Sequence, residues 1–332
     1  MKILVTGGAG YIGSVIVEQL ASDGNQVVVV DNLSQGHREA VSPEAELIHI
    51  DLADLEKLSE VFRFHDIQSV MHLAASSLVG QSMTEPAHYF QNNLVCGMNL
   101  LYAMLEYGVN KLVFSSSAAV YGSPDKVPIT EEHSAVPINP YGESKVMFER
   151  ILHWYGVAYG LRFVSLRYFN AAGATARCGE DHEPETHLIP NVLKAALGLV
   201  PQINVFGADY PTEDGTCVRD YIHVTDVARA HVLALKHLES EKLNKAYNLG
   251  AGRGYSVEEV IDVAEATTGT RIKRLISSRR AGDPPVLVAD PSLAGKELGW
   301  KPQDSELQAI IESAWRWQKV HPHGYEGKPG TT

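Results

Sequence analysis

An α/β fold, a doubly wound parallel sheet followed by a smaller C-terminal α/β domain, is predicted by three observations. Through about residue 170, short β-branched runs alternate with helical stretches. The strand runs, such as Val27-Val28-Val29-Val30, are apolar at every position. A glycine-rich turn, Thr6-Gly7-Gly8-Ala9-Gly10-Tyr11-Ile12-Gly13, joins the first strand run to the first helix. Alternation of this kind builds parallel strands with helices on both faces, and continuous apolarity suits strands buried on both sides.

In chain order, strands are expected at 2–6, 26–30, 46–50, 69–72, 111–115 and 162–167. Helices are expected at 11–22, 55–64, 86–107 and 141–159. After about residue 170 the rhythm loosens. A loop rich in Gly, Glu and His (173–186) leads to a helix at 187–199, then to irregular sequence as far as about Gly215. Helices at 225–238, 257–268 and 306–317 follow, separated by short strands. The expected division is a dinucleotide-binding domain at 1–172 and a substrate domain at 173–332, with segments free to cross over, ending in a frayed tail at 327–332.

Composition narrows the function. With 332 residues, 45% of them apolar, the chain has enough material for two cores. A formal net charge of −12 disfavours a nucleic-acid partner, whose phosphates would be repelled. No window approaches the roughly 20 apolar residues of a membrane span, and the N-terminus lacks signal-peptide architecture. Cys96, Cys178 and Cys217 are odd in number and widely spaced, which fits neither a disulfide framework nor a zinc site. A reducing cytoplasm is therefore expected. His182 and His187 lie close together, but no Cys or His pair completes a metal set, so solvated or loop-packed histidines are expected and no metal.

Gly7, Gly10 and Gly13 allow a tight turn, close approach of backbone N–H groups to a pyrophosphate, and close helix–strand packing. Their position at a strand–helix junction supports this Rossmann-type reading. Asp31 ends the second strand, where a carboxylate accepts hydrogen bonds from adenosine ribose hydroxyls and repels a 2′-phosphate. NAD is thus expected over NADP, with Arg38 a rival phosphate contact. Asp51, after the third strand, is either an adenine contact or a helix cap ahead of Leu55.

Tyr141 precedes Lys145 by four residues, so the two share a helix face. An ammonium there favours the phenolate, lowering the phenol from about 10 toward working pH and making a general base for a hydroxyl proton. Ser115-Ser116-Ser117 ends the fifth strand, and the carboxyl ends of such strands are where open α/β sheets bind ligands. Ser117, 24 residues before Tyr141, is expected to share a substrate hydroxyl with it.

The glycine turn, Ser117, Tyr141 and Lys145 resemble the extended short-chain dehydrogenase/reductase family. Longer strings resemble that family's UDP-sugar 4-epimerases. They are Ser115-Ser116-Ser117-Ala118-Ala119-Val120-Tyr121-Gly122, Leu166-Arg167-Tyr168-Phe169-Asn170, and the run from Asp209-Tyr210-Pro211 through Cys217-Val218-Arg219-Asp220-Tyr221-Ile222-His223-Val224. The resemblance runs from Met1 to about Tyr325. It implies reversible C4 inversion of a UDP-hexose, UDP-galactose or UDP-glucose, through a transient 4-keto sugar with retained NAD.

Residue by residue, the resemblance implies that Tyr141 takes the 4′-hydroxyl proton. Lys145 lowers its pKa and holds the nicotinamide ribose, and Ser117 hydrogen-bonds the same hydroxyl. Tyr11, Ile12, Asp31, Asn32, Asp51, Leu52 and Asn92 match cofactor-contacting positions. Phe169 packs near the nicotinamide, and Asn170 touches the substrate diphosphate. Arg219 and Arg280 offer planar forks for the diphosphate, Asp283 an acceptor for uridine ribose hydroxyls, and Leu188 and Phe206 flanks for uracil.

Two departures matter. Ser76-Ser77 stands where many members carry a Lys, which removes one cofactor contact. Leu287 stands where some carry a bulky Tyr, and the smaller side chain would admit an N-acetyl group on the sugar. Ala118 and Ala119 after Ser117 exclude the Asp-Glu pair that a 4,6-dehydratase needs. A UDP-pentose 4-epimerase and a non-catalytic NAD-binding protein stay open. Surplus apolar residues on helices 86–107 and 141–159 (Met98, Leu101, Met104, Met147, Phe148, Ile151) suggest a homodimer joined as a four-helix bundle.

Overall fold

The computed structural model describes residues 1–240, 244–280 and 283–325. The tail expected at 327–332 lies outside the described residues.

The strands are β1 (Lys2–Thr6), β2 (Gln26–Asp31), β3 (Glu46–His49), β4 (Ser69–His72), β5 (Lys111–Ser117), β6 (Arg162–Tyr168), β7 (Asn170–Ala172), β8 (Ile203–Phe206), β9 (Val218–His223), β10 (Lys245–Leu249), β11 (Gly254–Ser256), β12 (Arg274–Ser277) and β13 (Val286–Leu287). The helices are α1 (Tyr11–Ser22), α2 (Leu55–Phe64), α3 (Val79–Thr84), α4 (Pro86–Phe90), α5 (Cys96–Glu106), α6 (Pro140–Tyr159), α7 (Leu188–Ala196), α8 (Val224–Ser240), α9 (Val257–Thr268), α10 (Ser292–Leu298) and α11 (Leu307–Val320).

Seven parallel strands form the main sheet in the order β10-β6-β5-β4-β1-β2-β3. The chain winds outward from β1 to β3, then crosses to start again at β4 on the other side of β1. That reversal opens a crevice above the carboxyl ends of β1 and β4, where ligands bind in such sheets. Ile3, Val5, Val27, Val29, Val113 and Val164 face one core with α1 and α8, while Leu4, Val28, Val70, Leu112 and Phe163 face another with α2, α5 and α6. The inner strands β1, β2 and β4 therefore bury both faces, while the edge strand β3 leaves Glu46 and His49 exposed.

The single helix expected at 86–107 is instead α4, one π turn at Gln91–Val95, and α5. π turns of this kind recur at functional sites. Helix α6 begins where Asn139 caps it, accepting the Gly142 N–H at 2.8 Å, with Pro140 in the first turn. The cap fixes Tyr141 and Lys145 on the opening turns. Strand β10 comes from far along the chain yet pairs with β6, so the second half re-enters the first layer.

The remaining strands make two small sheets. One has the order β11-β9-β13 with β7 beside β9; the other pairs β12 with β8. Helices α7, α9 and α11 enclose a separate core under them, including Ile189, Val205, Ile261 and Ile310. Among the described residues no helix is long and apolar enough to cross a membrane.

Candidate active site

The glycine turn is built for close approach. Gly7 has φ 73°, and a Cβ there would meet the Ala74 nitrogen at 2.5 Å; at Gly13 it would meet the Gly7 carbonyl oxygen at 2.0 Å. Gly10 caps α1 with no side chain over the helix end, leaving an end suited to an anion. Asp31 is buried with both oxygens held, one by the Ala9 N–H at 3.0 Å and one by the Leu33 N–H at 2.8 Å. Leu33 takes a left-handed φ of 56° to make that turn. Burial raises the Asp31 carboxyl above its ordinary value, against these two bonds. These residues fit a dinucleotide, with pyrophosphate at the turn and ribose at Asp31; Arg38 is exposed on a short turn beyond.

Asn32 donates to Asp51 at 2.7 Å, and the other Asp51 oxygen accepts the Ala53 N–H at 2.7 Å. The cap of α2 is Asp54, which accepts the Lys57 N–H at 3.1 Å, so the capping role considered for Asp51 falls to its neighbour. Leu52 is buried, and Ile12 packs against the α1 core. Tyr11 is also buried: its hydroxyl donates to the Gly173 carbonyl at 2.7 Å, which ties the glycine turn to the second half of the chain.

At the carboxyl end of β5, Ser117 Oγ accepts the Ala119 N–H at 3.1 Å. Tyr141 lies buried against it. Burial pushes the Tyr141 phenol up, and a hydrogen bond with Ser117 pulls it part of the way back. The sequence leads one to expect a phenol lowered by Lys145. The geometry explains the difference: Lys145 Nζ donates to the Ser115 carbonyl at 2.9 Å and lies 5.8 Å from the Tyr141 ring centre. Burial also lowers Lys145 to about 7, with Glu149 opposing, so the ammonium is itself half discharged near neutrality.

Several supporting residues escaped the sequence reading. Asn93, on the π turn, accepts the Ser76 N–H at 2.8 Å and donates to Ser144 Oγ at 2.9 Å. It joins the β4 loop to α6 between Tyr141 and Lys145. Asn92 donates to Ser76 Oγ at 3.1 Å, so Ser76 is anchored to the π turn. Beneath the catalytic end, Glu149 accepts from Ser116 Oγ at 2.6 Å and from Arg167 Nε at 2.9 Å. Arg167 also donates to the Tyr121 hydroxyl at 2.9 Å, which donates to Asn248 at 2.7 Å. Ser116, Tyr121 and Arg167 lie in quoted motifs; Glu149 and Asn248 carry no local signal.

Phe169 sits in a cluster with Ala118, Val120 and Tyr121, against which Leu287 packs. Asn170 donates to the Asp220 carbonyl at 3.0 Å, and β7, β9 and β13 bring Asn170, Arg219 and Leu287 onto one small sheet. Arg219 and Asp283 form an ion pair, and Arg219 donates further to the Val218 carbonyl at 2.8 Å and the Pro284 carbonyl at 2.7 Å. Two groups expected to meet different parts of a nucleotide thus meet each other. The Arg280 guanidinium lies 4.0 Å over the Phe206 ring. Leu188 opens α7, which packs on β8, the strand ending in Phe206. Asp220 is fully buried, accepting N–H groups of Ala251, Gly252 and Ala289, and burial raises its carboxyl to about 6 despite these bonds.

His182 and His187 are not simply solvated. Glu180 and Glu185 face both rings, with His187 Nδ1 2.7 Å from Glu180 Oε1 and 3.3 Å from Glu185 Oε1. Burial opposes their charge, but the carboxylates outweigh it and push His182 up to about 9 and His187 up to about 10. Half the His187 side chain is exposed, so solvent weakens that pull. Cys96, Cys178 and Cys217 are buried free thiols.

Fold and site together define a dinucleotide-binding α/β protein of the Ser-Tyr-Lys type, with a second layer over the carboxyl ends of its strands. The model of the NAD dependent epimerase/dehydratase family matches residues 3–250, and the chain belongs to that family. The chain is 51% identical over 327 residues to the UDP-glucose 4-epimerase of Halalkalibacterium halodurans, covering 98% of each. It is similar to the crystal structure of UDP-glucose 4-epimerase from Brucella ovis in complex with NAD (47% identity, TM-score 0.92, 95% of this chain and 97% of that one). It is also similar to the Bifidobacterium longum enzyme in complex with NAD+ and UDP (40% identity, TM-score 0.94, 98% and 100% covered). The resemblance read from the motifs therefore holds over the full length.

Proposed function

We propose that this chain interconverts UDP-galactose and UDP-glucose by inverting C4 of the sugar, with NAD retained through each cycle. The observation that carries the reading is the convergence of Ser117, Tyr141 and Lys145 at the β5 end, in a chain about half identical, end to end, to UDP-glucose 4-epimerases. NAD, when bound at the glycine turn and Asp31, supplies hydride acceptance and return at C4. Tyr141 Oη removes the 4′-hydroxyl proton and later returns it to the same oxygen, while Ser117 hydrogen-bonds that oxygen. Burial raises the Tyr141 phenol, and the Lys145 cation, 5.8 Å from its ring centre, would favour the phenolate against that rise. The 4-keto sugar has to rotate, so the grip belongs on the UDP handle: Arg219, Arg280 and Asn170 for the diphosphate, Asp283 for ribose, Leu188 and Phe206 for uracil.

The test is incubation of the purified protein with UDP-galactose and no added cofactor, following UDP-glucose by chromatography. Conversion supports both the chemistry and retained NAD. No conversion, even with NAD supplied, moves the reading to a UDP-pentose or N-acetylated substrate.

Leu287 packs against the Phe169 cluster with a side chain smaller than a Tyr, and on that ground UDP-N-acetylhexosamines are proposed as further substrates. Leu287→Tyr should then lower their turnover about tenfold or more while sparing UDP-galactose. Refusal of N-acetylated sugars by the parent, with the variant unchanged, sinks that part.

A homodimer is proposed as well. Of the surplus residues, Leu101, Met104 and Phe148 are core, whereas Met98 and Met147 are exposed. With them, Val95, Tyr102 and Leu105 on one helix and Trp154 and Val157 on the other make exposed stripes at helical spacing. Trp154→Glu with Tyr102→Glu should halve the mass measured by light scattering if those stripes join two copies. The unpaired thiols fit a cytoplasmic setting. The proposed division of labour keeps NAD on 1–172 and the UDP-sugar on 173–332, with β10 crossing back.

A further inference from the structure

The loop between β7 and α7 gathers four donors outside the catalytic centre: Glu180, His182, Glu185 and His187. Their nearest ligand atoms all lie within 4.8 Å of one another. The Nδ1 of His187 is 2.7 Å from Glu180 Oε1 and 3.3 Å from Glu185 Oε1. That of His182 is 3.3 Å from Glu180 Oε1 and 3.8 Å from Glu185 Oε2. In a tetrahedral site with bonds of about 2.0–2.1 Å, neighbouring ligand atoms stand about 3.3 Å apart. With Glu185 turning one oxygen to each imidazole, the four separations bracket that spacing.

Two further observations point to an ion. The Glu180 and Glu185 side chains are 8% and 4% exposed, so both carboxylates are held inward, facing the two imidazoles rather than solvent. His182 Nδ1 and Glu185 Oε2 are also buried without a hydrogen-bond partner. Native structures rarely leave such atoms unmatched. Both belong to the cluster and both are ligand atoms.

We propose that Glu180, His182, Glu185 and His187 form a four-coordinate binding site for a divalent transition metal, zinc by the chemistry of its donors. Two carboxylates neutralise the ion's charge, and two imidazoles, which release their protons to solvent as the ion binds, complete an N2O2 set. With all four positions taken by protein, the site is structural. His37 Nε2 meets the Asp181 carbonyl at 3.0 Å, and Gln35 donates to the Glu183 carbonyl at 3.2 Å. His182 lies edge-on to Tyr11 at 6.2 Å, and His187 precedes the first residue of α7. The ion would therefore pin a loop that spans from the segment after Asp31 to the helix opened by Leu188. Carboxylates, rather than a second His or Cys pair, complete the set.

The test uses the full chain, without a polyhistidine tag, purified in metal-free buffer and titrated with Zn2+ and Co2+. One Zn2+ per chain by mass spectrometry, visible d–d absorption from four-coordinate Co2+, and a melting temperature raised by Zn2+ are expected. His182→Ala and, separately, Glu185→Gln should weaken binding by about 100-fold or more and remove the Zn2+-dependent rise in melting temperature. Circular dichroism of each variant checks that it is folded. Absence of stoichiometric binding by the parent overturns the site, leaving an ion-pair cluster only. Binding that persists unchanged in folded variants overturns it equally.

Discussion

The two sides of the cleft handle their polar groups in opposite ways. On the main-sheet side the charged groups beneath the catalytic hydroxyls form a closed chain: Ser116, Glu149, Arg167, Tyr121 and Asn248 satisfy one another inside the protein. On the second side, Arg219 is matched with Asp283 at a half-open surface, and Arg280 rests on the Phe206 ring. The first arrangement fixes geometry before substrate arrives. In the second, Arg219 and Asp283 are held by each other, so under the proposed function a diphosphate would take the guanidinium and a ribose the carboxylate. Rigid chemistry and an adjustable grip are what a reaction with a rotating intermediate demands.

The sharpest way to break the contrast is at the hydroxyl. Tyr141→Phe should lower kcat by about 10³–10⁴-fold, with UDP binding by calorimetry nearly unchanged. Comparable loss of UDP affinity would mean the two sides are not separable. Next, Glu149→Gln leaves Arg167 buried without its counter-ion. A stability loss of about 3–5 kcal/mol in urea titration is expected. A loss below about 1 kcal/mol would show that the closed chain does not act as a buried network.

Arg219→Met should act on binding instead: KM for UDP-galactose rising about 10–100-fold, kcat within a few-fold, and little change in the urea midpoint. A kcat collapse there would erase the distinction. The smallest effect is on Lys145. Its folded pKa, about 7, lies below the ordinary 10.5. Between those values the unfolded chain binds a proton that the folded chain does not, so stability rises with pH across that window. The cost of the buried ammonium is full below pH 7 and gone above about 10.5. Lys145→Met, though inactive, should therefore melt higher than the parent at pH 6, by about 2–4 °C, with the gap closing toward pH 10. An equal gap at both pH values would assign the gain to packing rather than charge.

The contrast also marks what the sequence made legible. Gly7, Gly13, Asp31, Ser117, Tyr141 and Lys145 each sit at a strand end or helix start, so a few adjacent residues declare both element and role. Helices at 11–22, 55–64 and 257–268 were readable from their helical patterns to their last residues. The Glu149–Arg167–Tyr121–Asn248 chain was not, because its members are up to 127 residues apart and meet only through packing. The direction of the Tyr141 shift was misread for a related reason. Spacing puts Lys145 on the same helix face, but only the folded chain aims its Nζ at the Ser115 carbonyl. The π turn, too, hid inside what reads as one uninterrupted helix.

Strand β10 has a consequence for how the protein is born. It closes the β6 edge of the main sheet, and its Asn248 holds the hydroxyl of Tyr121. Synthesis runs from the N-terminus, so a nascent chain that has completed β1 through β6 still presents an open, apolar strand edge. The catalytic end gains its last partner only once residue 249 of 332 has left the ribosome. A message cut short before that point would yield a sticky fragment able to pair with its own kind, not a half-working protein.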